Sequence, residues 1–148
     1  LRGEDLVCRD EVNLGIAVAL EEGLIVPVIA QSQTKSMEDL SHSISDLSER
    51  AHSKQLTPTD VEGGTFTITN PGVFGSVLGM PIINPPQLAI LCVGAVEQRP
   101  VVIDGAVTAR FRSYLTLGFD HRVIDGAVAD QFMSFVKRNL EDFDGSLL

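Results

Sequence analysis

Basic charge is scarce in this chain: 11 Lys and Arg stand against 20 Asp and Glu, a formal net charge of −9. That balance excludes binding a nucleic-acid phosphate backbone through bulk electrostatics, which needs concentrated Lys and Arg. An anionic ligand has to be held locally. Cysteine is nearly absent. Cys8 and Cys92 stand far apart, with no C-x-x-C pair and no His-rich neighbourhood, so neither a zinc site nor a disulfide framework is indicated and a reducing compartment is expected. Long hydrophobic runs are missing too. The longest apolar stretch, Leu88 to Val96, is far short of a membrane span, and the acidic start with Glu4 and Asp5 lacks the form of a signal peptide. The expectation is a soluble, intracellular protein that engages neither membrane nor nucleic acid.

What is present is the composition of a folded globule: 44% hydrophobic and 21% charged residues in a chain of 148, enough for one domain and too short for two ordinary ones. Val12 to Leu20 and Leu24 to Ile29 are β-rich runs separated by Glu21-Glu22-Gly23, a connection of hairpin length, and predict two antiparallel strands. Ser36-Met37-Glu38-Asp39 has the form of a capping box. Leu40, Ile44, Leu47 and Ala51 follow at helical spacing, predicting an amphipathic helix that ends near Lys54. The alternation in Thr65 to Asn70 (TFTITN) suits a strand stopped by Pro71-Gly72.

Val73 to Pro86, broken by Gly and Pro, predicts a long ordered surface loop. Leu88 to Val96 reads as a strand buried on both faces. Val101 to Ala109 carries the hairpin signal Asp104-Gly105, and Arg112 to Phe119 predicts one more strand. A helix from about Ala127 to Phe143 follows, with Val128, Phe132, Phe135, Val136 and Leu140 on one stripe. The sum predicts an α/β two-layer sandwich, a mixed or mostly antiparallel sheet with helices packed on it.

Three histidines differ in context. His42 and His52 lie among Ser and Glu on the polar side of the first helix, where histidine is ordinarily solvated. His121 sits in Asp120-His121-Arg122-Val123-Ile124-Asp125-Gly126, a polar turn between a hydrophobic strand and a hydrophobic helix, where sites are commonly built. Histidine is the side chain type whose unperturbed pKa lies closest to neutrality, which suits removal of a proton from a thiol or hydroxyl. The same heptad also has a purely structural reading: Asp125 as helix N-cap, Gly126 easing a tight turn, Arg122 paired with a neighbouring carboxylate. Spacing alone leaves open whether Asp125 orients the histidine or orders the turn. Thr69 offers a hydroxyl donor for the oxyanion of an acyl transfer, although Thr is also simply common in strands, and Asn70-Pro71-Gly72 is compatible with ordinary turn chemistry.

Two segments, GGTFTITNPGVFGS (Gly63 to Ser76) with PIINPPQ (Pro81 to Gln87), and FDHRVIDGA (Phe119 to Ala127), together resemble the catalytic domains of dihydrolipoamide acyltransferases, the E2 components of 2-oxo acid dehydrogenase complexes. H-x-x-x-D-G is shared with chloramphenicol acetyltransferases and is weak alone; beside the G-T-F-T block it is strong. VNLGIAVALEEGLIVPVI (Val12 to Ile29) is similar to the family's mid-domain hairpin, so the resemblance covers nearly the whole chain.

The resemblance implies a chloramphenicol-acetyltransferase-like fold and transfer of an acyl group between a dihydrolipoyl thiol and coenzyme A, both of them substrates, with no metal. It makes His121 the general base and Thr69 the oxyanion donor. Asp125 becomes the motif carboxylate, and Arg122, Gly126 and Asn70 support the turns. It implies a homotrimer with its site between subunits, assembled into a larger core. The implied partners are a lipoyl domain and the complex's 2-oxo acid decarboxylase (E1) and dihydrolipoamide dehydrogenase (E3). It also implies that residues 1–148 are a partial catalytic domain whose upstream third, lipoyl domain and subunit-binding domain are absent. A non-catalytic scaffold core and a chloramphenicol-acetyltransferase-like O-acyltransferase are the rival readings. The acyl group, whether acetyl, succinyl or branched-chain, stays open at this point. A bacterial cytoplasm is favoured over a mitochondrial matrix.

Overall fold

The computed structural model describes residues 5–145. Its centre is a five-stranded mixed sheet ordered β4-β1-β5-β6-β9, where β1 is Leu14–Ile16, β4 Val28–Ile29, β5 Phe66–Thr69, β6 Ala89–Val93 and β9 Leu115–Phe119. The two outer pairs, β1 with β4 and β6 with β9, are antiparallel; β5 runs parallel to both of its neighbours. The sheet is thus evenly mixed. Parallel pairing requires crossovers, which here are the helix-bearing segment between β4 and β5 and the long loop between β5 and β6.

The two long strands expected over Val12 to Ile29 are each broken in the middle. β2 (Val18–Leu20) and β3 (Gly23–Ile25) form a separate two-stranded ladder, while β1 and β4 join the main sheet. Pro27, buried and without an N–H, lies at the break between β3 and β4. The second hairpin is longer than its sequence signal: β7 (Glu97–Ile103) pairs with β8 (Ala106–Arg112) through seven registered positions. Asp104 and Gly105 take φ of 52° and 80°, the left-handed pair that a tight hairpin turn requires. Ser113 and Tyr114 separate β8 from β9, so the strand expected from Arg112 starts three residues later.

α1 (Met37–His52) begins at the expected capping box: Ser36 Oγ accepts from the Asp39 N–H at 3.0 Å, and the Asp39 carboxylate accepts from the Ser36 N–H. It buries Leu47 and Ala51 and contacts β2 and β4. Its C-terminal end is tied to the following turn by Arg50, which pairs with both Asp46 and Asp60. The Asp60 carboxyl, accepting from Thr57 and from Arg50, falls to about 2. α2 (Gly126–Glu141) packs on the opposite end of the sheet against β9, and the Phe132 ring meets Phe66 edge-on at 5.9 Å.

The central core is β6, whose residues Ala89 to Cys92 are all buried, matching the expected strand covered on both faces. One face carries α2. On the other lies the segment 71–87, held by Thr116 Oγ1 donating to the Gly79 carbonyl at 2.6 Å and by Thr67 Oγ1 donating to Gln87 Oε1 at 2.6 Å.

Candidate functional site

His121 follows β9 in a turn that is braced on both flanks. The Asp120 carbonyl accepts from the N–H groups of Val123 and Ile124 at 3.0 and 2.9 Å. The Asp120 carboxylate accepts from the Arg122 backbone N–H at 3.0 Å and grips the Arg122 guanidinium through Nε and Nη2, at 2.9 and 2.6 Å. This charge-assisted grip holds the Asp120 carboxyl down at about 2 and raises Arg122 above its ordinary value. The carboxylate paired with Arg122 is therefore its neighbour within the turn.

Asp125 closes the other flank. It is the N-cap of α2, with extended backbone (φ −85°, ψ 166°) and Oδ1 accepting from the Val128 N–H at 2.8 Å. Asp125 thus caps α2, and no hydrogen bond joins it to His121 among the described residues. Gly126 is the first residue of α2, and a Cβ placed there would meet nothing within 4 Å, so nothing packed around the turn demands a glycine. The His121 ring is exposed. Among the described residues its one ring contact is Phe119, at 5.4 Å between centroids with the planes 39° apart.

Thr69 ends β5, half-buried, and its hydroxyl makes no hydrogen bond among the described residues, which leaves it free to donate outward. Asn70 turns the chain (φ −129°, ψ 76°) into a single 3₁₀ turn at Pro71–Phe74, and its side chain caps nothing there. Gly72 in that turn lies against Gly94 and Ala95 so closely that a Cβ would collide with their backbone. A glycine is required at this position by packing, and the same close approach fixes the chain just beyond Thr69.

The sheet register places these two halves far apart within one chain. Thr69 is level with Cys92, and Cys92 with Thr116, at the end where β5 and β6 finish. Phe119 is level with Ala89, where β6 begins, and His121 lies two residues further on. Five residues of chain and two strand spacings separate the positions, roughly 15–20 Å by standard strand dimensions. A base and an oxyanion donor serving one thioester must each stand about 3 Å from the reacting atoms. Within one chain Thr69 and His121 are not brought together.

Two features had no foreseen role. The buried Thr67–Gln87 hydrogen bond ties the PIINPPQ block to the middle of β5. The signal was a glutamine ending an otherwise apolar block, but nothing in the sequence names its partner twenty residues away. The Phe119–His121 ring contact spans only two residues and was open to inference from the F-D-H spacing. His42 and His52 belong to α1, where His52 Nδ1 meets the Ser48 carbonyl at 2.7 Å and His42 approaches Glu38 at 3.7 Å.

The whole chain, residues 1–148, matches the 2-oxoacid dehydrogenases acyltransferase (catalytic domain) family. It is 48% identical over 139 residues to the mitochondrial dihydrolipoyllysine-residue succinyltransferase component of the 2-oxoglutarate dehydrogenase complex of Bos taurus, covering 94% of this chain and 30% of that protein. Among solved structures it resembles a probable dihydrolipoamide acetyltransferase of Listeria monocytogenes, with a TM-score of 0.94 at 38% identity over 100% of this chain and 64% of that one. It also resembles the dihydrolipoamide acetyltransferase of Azotobacter vinelandii, solved in work on the catalytic roles of one serine, one histidine and one asparagine. There the TM-score is 0.91 at 38% identity, over 99% of this chain and 60% of that one. The chain spans under a third of the bovine relative's length and under two thirds of either solved relative's. With the mixed sheet, the two packed helices and the D-H-R-x-x-D-G turn in place, the chain belongs to the 2-oxoacid dehydrogenase acyltransferase catalytic-domain family.

Proposed function

We propose that this chain transfers an acyl group between a dihydrolipoyl thiol and coenzyme A, at a site that one copy supplies with His121 and a neighbouring copy with Thr69. The observation that carries the reading is the register. The two residues whose chemistry fits acyl transfer stand at opposite ends of one sheet, too far apart to serve one substrate, and a second copy in head-to-tail contact supplies the missing half. The Azotobacter enzyme adds support. Its serine and histidine lie 52 residues apart and its histidine and asparagine 4 apart, the intervals that separate Thr69 from His121 and His121 from Asp125. Head-to-tail contacts that close generate a ring, and the expected homotrimer is the smallest ring in which no copy both gives to and receives from the same neighbour.

In the proposed reaction the neutral His121 imidazole takes the proton of the attacking thiol. The thiolate adds to the thioester carbonyl carbon. The negative oxygen of the tetrahedral intermediate accepts a hydrogen bond from the Thr69 hydroxyl, which has no competing partner among the described residues. Collapse breaks the original C–S bond, and the imidazolium returns its proton to the departing thiolate. Coenzyme A and the dihydrolipoyl group are substrates in this scheme, and no step requires a metal.

For the acyl group we propose succinyl. The bovine relative at 48% identity is a succinyltransferase, whereas the two acetyltransferase structures stand at 38%. The lipoyl domain and the E1 and E3 components are the partners this reading entails. The bovine relative is mitochondrial and the structural relatives are bacterial, so the preference for a bacterial cytoplasm gains no support over a mitochondrial matrix.

The test is dihydrolipoamide-dependent consumption of succinyl-, acetyl- and isobutyryl-coenzyme A, with His121→Ala as control. The reading expects the fastest turnover with the succinyl donor and none in the control. Equal turnover by the control defeats the mechanism; a faster acetyl or isobutyryl donor defeats the assignment of the acyl group.

A further inference from the structure

The flanks of the catalytic turn leave one question about His121 itself. Its backbone is fixed by the Asp120 carbonyl and carboxylate on one side and by the α2 cap on the other. Its imidazole is not held by either. Asp120 is saturated by Arg122, and Asp125 is turned to the Val128 N–H. Neither carboxylate therefore orients the ring, as the carboxylate of a histidine-centred triad would. The Azotobacter enzyme has an asparagine at the spacing of Asp125. Asp and Asn share helix N-capping, at which they are nearly equivalent, and do not share a negative charge. What the two residue types share at that position is the capacity to cap a helix.

What does touch the imidazole is Phe119. This ring closes β9, where its backbone is level with Ala89, and stands 5.4 Å from the His121 ring at a tilt of 39°. Aromatic pairs in that range favour offset or tilted arrangements and attract one another beyond the area they bury. An exposed side chain has several staggered rotamers open to it, and a ring contact of this kind favours the one that makes it. Phe119 is anchored in the sheet and His121 is exposed, so the strand residue sets the orientation of the turn residue and not the reverse.

We infer that Phe119 is the positioning residue of the catalytic base, holding the His121 imidazole by ring contact in the place of an orienting carboxylate. The inference rests on His121 being the base as proposed above, and the experiment separates the two. Phe119→Leu keeps an apolar side chain on the strand and removes the ring; Phe119→Tyr keeps the ring. Each variant, the unchanged protein and His121→Ala are assayed with succinyl-coenzyme A and dihydrolipoamide. The His121 ring-proton resonances are followed by NMR, with His42→Gln and His52→Gln used to assign them.

The expected result is a kcat reduced about 10–100-fold in Phe119→Leu, as for a modest misplacement of a reacting group. KM for succinyl-coenzyme A should be unchanged and Phe119→Tyr should stay within about twofold of the unchanged protein by the same argument. The His121 resonances should carry a ring-current shift that disappears only in Phe119→Leu. Full activity in Phe119→Leu while His121→Ala is inactive overturns the positioning role and leaves the base in place. Full activity in His121→Ala overturns the base itself. His121 resonances without a ring-current shift in the unchanged protein overturn the positioning role whatever the kinetics.

Discussion

Thr69 and His121 each stand at the close of a β-strand, but at opposite ends of the sheet and in unlike surroundings. Thr69 is built in: β5 is flanked by two parallel neighbours, Thr67 is locked to Gln87, and Gly72 rests against Gly94 and Ala95. His121 is built out. It projects from a surface turn whose order comes from short-range bonds among Asp120, Arg122, Val123, Ile124, Asp125 and Val128. A donor that must wait for a developing oxyanion gains from rigidity, since preorganisation is what makes it effective. A base that must reach a thiol gains from exposure, provided something fixes its ring. The contrast assigns each half to the environment its chemistry needs, and it makes the two halves separately breakable.

The largest expected effect comes from the exposed half. His121→Ala should lower kcat by roughly 10²–10⁴-fold, the usual contribution of a positioned acid–base group, with secondary structure by circular dichroism unchanged. Thr69→Ala in the rigid half should cost less, about 10²–10³-fold in kcat, the loss seen for one oxyanion donor. Thr69→Ser should recover most of it. If Thr69→Ala instead lowers the unfolding midpoint while sparing kcat, the hydroxyl serves the strand and not the reaction.

Smaller effects sharpen the contrast between cap and catalyst. Asp125→Ala removes the N-cap of α2 and should lower unfolding stability by about 1 kcal/mol in denaturant titration, whereas Asp125→Asn should be nearly neutral. An Asp125→Asn variant as inactive as His121→Ala would show that the negative charge, and not the cap, matters. The smallest effect is on pH dependence. The Asp120 carboxyl is lowered in the folded chain to about 2 from 3.8, chiefly by its bond to Arg122. A depressed carboxyl contributes stability that is present above the unfolded value, near 4, and lost as pH falls through the folded value, near 2. Asp120→Asn should therefore flatten the acid limb of stability between about pH 4 and 2. The flattening should be partial, since Asp60 is lowered to about 2 by Thr57 and Arg50 and titrates in the same window.

Much of this was legible in the sequence because it is local. The capping box at Ser36 and Asp39, the Asp104-Gly105 turn, the buried β6 strand and the cap at Asp125 are each fixed by residues within a few positions of one another. Pairing direction was not legible. β5 runs parallel to both neighbours through crossovers of many residues, and alternation in TFTITN is the same whichever way the partner runs. The apolar stripe of α2 shows another limit. The spacing of Phe132, Phe135 and Leu140 announces an apolar face, but within this chain Phe135 and Leu140 remain 57% and 61% exposed. Periodicity tells that a face is apolar and says nothing of what covers it. The candidate site was legible as two motifs, while the register that separates them is a tertiary fact.

That separation is tested most directly by mixing its two halves. Thr69→Ala and His121→Ala, each expected to be at least about a hundredfold slower alone, would be unfolded together in equal amounts, refolded, and assayed with succinyl-coenzyme A and dihydrolipoamide. If the site forms between copies in a closed ring, about one contact in four in a random mixture joins an intact Thr69 to an intact His121, and about a quarter of the activity of the unchanged protein returns. If both residues serve one site within a single chain, every site in the mixture lacks one of them, and no recovery above the separate variants would contradict the account.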